Sequence, residues 1–243
     1  YVGSDPLGHA LAYDKLTAKR LFRSLRLATP AFTVYEKNGQ EGQSDEGETS
    51  LLLPDAKHRF VVKPVAEAVS EGLELVSDRE ELNEAVDRDL KEFGGPVIAE
   101  EFMSGREINV SLIGNDPVET LPPVEVIVEG SPLFDAETKL GKGASFYLEC
   151  PARLPMETRQ KARDLAVRAF ALLRCRDWAR VDLRLDEEGE PHILEVNTIP
   201  GFSPSSSFFK AATQAGFQDM DELVLHLLDT AIRRYQENPA QLV

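Results

Sequence analysis

The chain has 243 residues, of which 42% are hydrophobic and 28% charged, a composition typical of a soluble globular protein with one large or two modest domains. Its formal net charge of −15 argues against a surface that binds nucleic acid or an anionic membrane, so a phosphate site would need a local group of Lys and Arg. Its two cysteines lack C-x-x-C spacing, and no apolar run reaches membrane-spanning length, which favours a reducing cytoplasm.

The first predicted element is a helix that begins after Asp14, a candidate N-cap residue. Its apolar residues recur at helical spacing, at positions 18, 21, 22 and 25. Lys19 is expected on the solvated face of this helix.

Strands and helices are interspersed along the rest of the chain. Apolar runs and period-two patterns predict strands at 31–35, 59–63, 96–103, 106–114 and 124–128. Helical periodicity predicts helices at 77–93, 157–174, 205–214 and 220–235. Ser77 and Glu80 are the predicted capping box of the first of these helices.

The most informative stretch covers residues 180–201. Two runs of alternating apolar and polar residues flank a Gly-containing turn, which predicts an antiparallel hairpin. Period two places Arg180 and Asp182 on one face of the first strand. It places Glu195 and Asn197 on one face of the second strand, so the four side chains converge if the two faces coincide.

Two carboxylates, an amide and a guanidinium have a chemical use when they converge. Hard oxygen ligands in an open site suit Mg²⁺, which usually shares its shell with water and substrate phosphates. A neighbouring Arg would stabilise a transferred phosphoryl group or an oxyanion. The alternative is a hairpin whose charged face simply meets water, and from spacing alone that is the more common arrangement.

The segments RVDLRL and ILEVNTIPGFSPSSSF resemble the carboxyl-terminal signature of the D-alanine–D-alanine ligases, members of the ATP-grasp superfamily. The order R-x-D followed by E-x-N-x-x-P-G is specific. The resemblance runs from Tyr1 to about Leu228 and omits the family's amino-terminal domain, so we expect a fragment. It implies an α+β ATP-grasp fold in which residues 1–102, with an opening segment 1–28, form one lobe. Residues 103–243 would form the second lobe, and ATP would lie between the two.

The resemblance also implies roles for residues around the hairpin. Asp182, Glu195 and Asn197 match the residues that hold Mg²⁺, or Mn²⁺ in its place, on the ATP phosphates. Residues matched to the reaction itself are Arg180 for the transferred phosphate and oxyanion, Lys139 for the phosphates, and Gly201 and Ser206 for the substrate loop.

Nucleotide-binding residues are implied in the same way. Lys15 and Lys63 match the two phosphate lysines of the first lobe. The loop that covers the phosphates is matched by Glu67, Ser70 and Gly72. The hinge that presents backbone groups to adenine is matched by Glu100, Glu101 and Met103, and the ribose residue by Glu107. Outside the resemblance, these lysines and glutamates would more often be surface residues.

The sequence departs from the family pattern at three positions. Ala68 replaces a Gly of the phosphate-covering loop, where a missing Cβ allows the backbone to approach phosphate closely. Val69 stands in place of a Ser, and Leu140 in place of a Tyr, both of which belong to the family's first-substrate site. We therefore expect a site for an amino acid or related carboxylate other than D-alanine.

These observations predict an ATP-dependent carboxylate–amine ligase that acts through an acyl phosphate, in the family's setting of peptidoglycan synthesis. The different-class alternative is a nucleotide-binding module that has lost catalysis and acts as a sensor or partner. The expected partners are small molecules, with neither nucleic acid nor membrane, and a homodimer is left open.

Overall fold

The computed structural model describes residues 1–36, 59–66, 72–139 and 141–237. The helices are α1 Pro6–Tyr13, α2 Lys15–Ser24, α3 Arg79–Glu92, α4 Ala136–Lys139, α5 Met156–Leu172, α6 Ser207–Ala215 and α7 Met220–Glu237. The strands are β1 Phe32–Tyr35, β2 Phe60–Pro64, β3 Glu74–Val76, β4 Val97–Glu101, β5 Glu107–Gly114, β6 Val118–Thr120, β7 Val124–Val128, β8 Phe146–Glu149, β9 Trp178–Leu185 and β10 Pro191–Asn197. None of the helices in these ranges combines the length and apolarity needed to cross a membrane.

Two antiparallel sheets form the framework. The smaller sheet has the strand order β1-β4-β2-β3, and α3 packs against it. The larger sheet has the order β10-β9-β5-β7-β8, with β6 paired to β5, and α5 packs against it. The predicted α+β class is confirmed. The lobe boundary near Phe102 follows β4, the last strand of the smaller sheet, and it stays a prediction.

Local capping explains where the helices begin. Asp14 caps α2 as predicted, because its carboxylate accepts from the Thr17 amide at 2.7 Å. The prediction for α3 was wrong by one residue, since Asp78 accepts from the Glu81 amide at 2.9 Å and is the N-cap in place of Ser77. The Glu81 carboxylate accepts from the Ser77 amide at 2.8 Å, so the reciprocal capping bond is displaced as well.

A β-bulge in β10 sets the direction of the hairpin's polar side chains. Ile193 pairs with Leu183 on the core face, but the next pair is Glu195 with Asp182, so Leu194 is the extra residue. Strict alternation would have turned Glu195 toward the same face as Ile193. The bulge shifts the register by one residue and turns Glu195 to the face of Asp182.

Helix α2 contributes to hydrophobic clusters of both sheets. Phe22 is fully buried in the core of the larger sheet, whereas Leu16 packs against the cluster that contains Phe32 of the smaller sheet. Lys19, on the same helix, is 0% exposed, so its predicted place on a solvated face was wrong. The reason is tertiary: β4 carries a carboxylate, Glu100, that pairs with this lysine.

Candidate active site

Asp182 is the centre of the polar face shared by β9, β10 and β5. It is buried, and Arg180 donates to it with Nε to Oδ1 at 2.6 Å and Nη2 to Oδ2 at 2.7 Å. Asn109 donates to Oδ1 and Asn197 to Oδ2, each at 2.9 Å. The side chains of the hairpin's Arg, Asp and Asn residues therefore meet in one place, as the period-two pattern predicts.

Glu195 lies beside this group and remains ionised at neutral pH. Asn197 Nδ2 donates to its Oε1 at 3.2 Å. Burial by itself would raise the pKa of Glu195, but Lys15, Lys139 and Lys63 outweigh burial and lower the pKa to about 2. Three lysines that are far apart in the sequence thus surround one carboxylate.

The donor set fits a magnesium ion, or a manganese ion in its place. Burial raises the pKa of Asp182, which Arg180 lowers in part and the nearby charge of Glu195 raises further. A cation between the two carboxylates would relieve that repulsion. Within the described ranges no group of three or more His, Cys, Asp and Glu residues could hold a metal. Two carboxylates and an amide form an incomplete shell, which suits an ion that keeps waters and takes phosphate oxygens.

A cleft with about 760 Å³ of atom-free space opens next to this group, between the two sheets. Among its lining residues are nine of the predicted ones: Lys15, Lys63, Glu100, Glu101, Met103, Glu107, Lys139, Asp182 and Glu195. The structure therefore brings together residues that the sequence separates widely, including residues on strands of both sheets.

Two backbone amides of the hinge between the sheets donate hydrogen bonds within the protein. The Glu101 amide donates to Ala31 O at 2.8 Å, and the Phe102 amide donates to Arg59 O at 2.9 Å. The Glu100 side chain is also engaged, because it forms ion pairs with two lysines. Met103 is 8% exposed and lines the cleft.

Glu107, the predicted ribose residue, lies on β5 opposite Arg184 of β9. Burial raises its pKa to about 7, against the lowering effect of Arg184, whose Nη1 is 3.9 Å from Glu107 Oε2. A carboxyl group with this pKa is partly protonated near neutral pH, so it can both accept and donate hydrogen bonds.

Gly201 and Ser206 line a second cleft, with about 1170 Å³ of atom-free space. Ser206 is the N-cap of α6, since its Oγ accepts from the Phe209 amide at 3.2 Å, and the same Oγ donates to Ser203 O at 2.8 Å. The two clefts share five lining residues: Glu107, Phe134, Lys139, Asp182 and Glu195. Arg180 lines the second cleft, so the cavities meet at the predicted metal residues.

Some predicted positions lie outside the described residues: Glu67, Ala68, Val69, Ser70 and Leu140. Gly72 is described, at φ +70°, and an added Cβ would lie 2.8 Å from Phe93 and from Pro64. Glycine is therefore required there by backbone conformation and packing.

Sequence reasoning missed three contributors to this region: Lys19, Asn109 and Arg184. Asn109 shares a strand face with Glu107 at period two, a signal that could have identified it. Arg184 continues the polar face of Arg180 and could have been found in the same way. Lys19 carries no local signal, because its burial depends on a partner from another element.

Two antiparallel sheets with a lysine-lined cleft between them, and acidic residues at the cleft floor, define an ATP-grasp protein. A sequence model described as D-ala D-ala ligase C-terminus matches residues 21–229. The chain belongs to the D-alanine–D-alanine ligase family.

Individual relatives agree with this assignment. The chain is 32% identical over 234 residues to a D-alanine–D-alanine ligase of Desulforamulus reducens, which covers 96% of this chain and 73% of that protein. It is 39% identical over 240 residues to y4sG of Sinorhizobium fredii, described as uncharacterized, which covers 98% of this chain and 68% of that protein.

Solved structures are similar over the same range. A D-alanine–D-alanine ligase from Bacillus anthracis superposes with a TM-score of 0.79 at 25% identity, covering 98% of this chain and 73% of that one. VanG, a D-Ala:D-Ser ligase from Enterococcus faecalis, gives 0.78 at 26% identity, covering 94% and 64%.

Proposed function

We propose that this chain carries the nucleotide site and the reaction centre of an ATP-dependent ligase that joins a carboxylate to an amine. The observation that carries the proposal is the meeting of two clefts at Asp182 and Glu195. One cleft has lysines for a polyphosphate, and the other has Arg180 for a substrate group. A junction of this kind suits transfer of a phosphoryl group from one ligand to another.

The residues at this junction divide the work by charge. Asp182, Glu195 and Asn197 would hold Mg²⁺, and Lys15, Lys63 and Lys139 would surround the phosphates. In the family reaction ATP supplies the phosphoryl group that converts the carboxylate to an acyl phosphate, which an amine then attacks, and Mg²⁺ offsets the phosphate charge. Arg180 is held by Asp182, so its guanidinium is oriented before substrate arrives.

The glutamate Glu107 would bind ribose hydroxyls, and the backbone around Met103 would contact adenine. On the other side, Gly201 and the start of α6 at Ser206 would hold the substrate carboxylate, because the free amides of a helix N-terminus favour anions. Each role uses a residue that lines one of the two clefts.

We propose further that the substrate differs from a pair of D-alanines. Val69 and Leu140 lack the hydroxyl groups of the Ser and Tyr that the family pattern carries at these positions. A binding site built without those hydroxyls loses hydrogen bonds to a polar substrate group. The likeness to a D-Ala:D-Ser ligase supports the view that this fold accepts a changed amino acid.

The test measures MgATP binding by calorimetry and ADP release with single amino acids, hydroxy acids and their pairs. We expect binding, and ADP release that depends on one acid or pair. Binding without ADP release for any acid would contradict the ligase and favour the nucleotide-binding module. The strongest ADP release with D-alanine alone would contradict the altered substrate.

A further inference from the structure

Three charged side chains form a buried chain of contacts beside the nucleotide cleft. Lys19 Nζ lies 2.6 Å from Glu100 Oε2, and Lys63 donates to the other oxygen, Oε1. Their exposures are 0% for Lys19, 3% for Glu100 and 6% for Lys63. One carboxylate thus bridges two ammonium groups, and the trio carries one net positive charge.

The two lysines differ in what they face. Lys63 lines the cleft and lowers the pKa of Glu195, so its charge reaches the metal residues. In the part of the chain that the structure describes, Lys19 is not among the cleft-lining residues. Its second contact is Thr29, whose Oγ1 it approaches at 2.9 Å. Lys19 therefore cannot touch the nucleotide from this position.

We propose that Lys19 is a positioning residue for nucleotide binding: it holds Glu100 so that Lys63 keeps a net positive charge directed at the phosphates. This inference rests on the proposed function, because it assumes that phosphates occupy the cleft. Without Lys19, Glu100 and Lys63 would form a closed neutral pair in a buried setting, where such pairs interact strongly. Lys63 would then have less charge to offer a phosphate.

The same lysine links the two lobes. Thr29 Oγ1, which accepts from Lys19, donates to Ile193 O at 2.8 Å. Ile193 immediately precedes the bulge that turns Glu195 into the cleft. The contacts therefore run without a gap from Glu100 on the smaller sheet to the strand that carries the metal residues.

The charges around Lys19 indicate a pH dependence. Burial lowers the pKa of Lys19, and the charges of Lys63 and Arg23 lower it as well. Against the raising effect of Glu100, the net pKa is about 8. As pH rises through about 8, Lys19 loses its proton, and Glu100 is then shared with Lys63 alone. MgATP affinity should fall across this range in the unaltered chain.

The experiment measures the dissociation constant of MgATP by calorimetry at pH 7 for Lys19→Met. We expect it to rise by roughly 10- to 100-fold, the usual effect of removing a group that orients a ligand-binding residue. Arg23→Met is the matched control: Arg23 lies on the same helix and also faces the Phe32 ring, at 4.6 Å, but does not bridge to Glu100. The MgATP affinity of Arg23→Met should stay within about twofold of that of the unaltered chain.

Two further measurements separate positioning from plain stability. The loss of MgATP affinity above pH 8 should be absent in Lys19→Met. In the background of Glu100→Gln, which has no carboxylate to share, Lys19→Met should change affinity by less than about threefold. That double variant removes both buried charges, so it provides the test even where the single variant does not fold.

Three results would overturn the inference. They are equal MgATP affinity for Lys19→Met and Arg23→Met, a tenfold further loss in the Glu100→Gln background, or an unchanged loss above pH 8 in Lys19→Met. An unaltered chain that binds no MgATP would overturn the proposed function together with this inference. The experiment measures MgATP binding and not ligation, so failure to find an acid substrate would not change its result.

Discussion

Two buried aspartates beside the same strand have nearly the same hydrogen-bond donors. Asp182, in β9, receives a bidentate Arg180 and the amides of Asn109 and Asn197. Asp177, just before β9, receives Arg234 with Nε at 2.8 Å and Nη2 at 3.0 Å, Asn115 Nδ2 at 2.9 Å, and the Gly3 amide at 2.7 Å.

The donors differ in where they come from. Arg180 is two positions from Asp182 on the same strand, so that ion pair does not connect separate parts of the chain. Arg234 lies in α7 and Gly3 precedes α1, so Asp177 ties both ends of the described chain to the larger sheet. A contact between distant segments constrains the fold in a way that a local one cannot.

The neighbours differ as well. Asp182 lines the cleft next to Glu195 and a group of lysines, whereas Asp177 is 0% exposed and closed in by its donors. The same set of donors therefore serves a binding site in one place and the fold in the other. What distinguishes them is sequence separation and a nearby like charge, and each can be tested by substitution.

The largest effect we expect is on activity, from Asp182→Asn. The change removes a proposed metal ligand and its charge while keeping the shape, and kcat/KM measured as ADP release should fall about 10³-fold or more. Stability should fall by about 1–3 kcal/mol, because Arg180 loses a buried partner while Glu195 remains beside it. Near-normal turnover would contradict the assignment of Asp182 to the metal.

The companion change, Asp177→Asn, should act on stability alone. Asp177 has φ +62°, which Asn tolerates, so no backbone strain is added. Loss of the carboxylate removes an anion that pairs with the buried Arg234 and should lower the free energy of unfolding by about 3 kcal/mol. Urea denaturation measures this change. A MgATP affinity that falls with it at temperatures where the variant is folded would contradict the separation of the two roles.

A matched pair of amides sharpens the comparison. Asn109→Ala removes a donor to Asp182, and the Mg²⁺ concentration for half-maximal ADP release should rise about 10-fold. Asn115→Ala removes a donor to Asp177, and also the oxygen that accepts the Asp177 amide at 2.9 Å. It should cost about 1–2 kcal/mol of stability and leave the Mg²⁺ dependence unchanged. Identical effects of the two substitutions on both measurements would remove the distinction.

The sequence was sufficient for some of this arrangement. Period two in β9 and the R-x-D and E-x-N spacing predicted that Arg180, Asp182, Glu195 and Asn197 converge if the two strand faces coincide, and the faces do coincide. The convergence depends, however, on the bulge at Leu194, which no residue type in the sequence indicates. A bulge arises from pairing with the neighbouring strand, and pairing register is a tertiary property.

Burial of charge was the part that could not be predicted. Lys19 was predicted to be a surface residue. The sequence pattern of its helix is the same whether or not a carboxylate on another element pairs with it. Asp177 had no motif, because its donors come from the two ends of the described chain. The pattern along one segment records which face is apolar, and it does not record which polar residues find partners across the fold.

Asp89 of α3 is a third buried aspartate. It differs from Asp182 and Asp177 in its hydrogen-bond partners, and its substitution gives the smallest expected effect. It is 4% exposed, and among the described residues its Oδ2 has no hydrogen-bond partner. Burial, together with the charges of Glu74 and Glu92, raises its pKa to about 6 against the lowering effect of Arg88. Within the part of the chain that the structure describes, no arginine or lysine donates to this carboxylate as Arg180 and Arg234 donate to Asp182 and Asp177.

The sign of the pH dependence follows from this raised pKa. The folded state holds the proton more tightly than the unfolded state, whose pKa is 3.8, so the contribution of Asp89 to stability is complete below pH 4. It is lost as pH rises through about 6. Asp89→Asn cannot ionise, so it should match the unaltered chain near pH 4 and exceed its free energy of unfolding by about 1 kcal/mol at pH 7.5. Urea denaturation at the two pH values measures the difference, and Asp87→Asn, at an exposed position of the same helix, is the control that should show no such gap. A gain that is equal at both pH values would mean that helix propensity, and not the buried charge, is its cause.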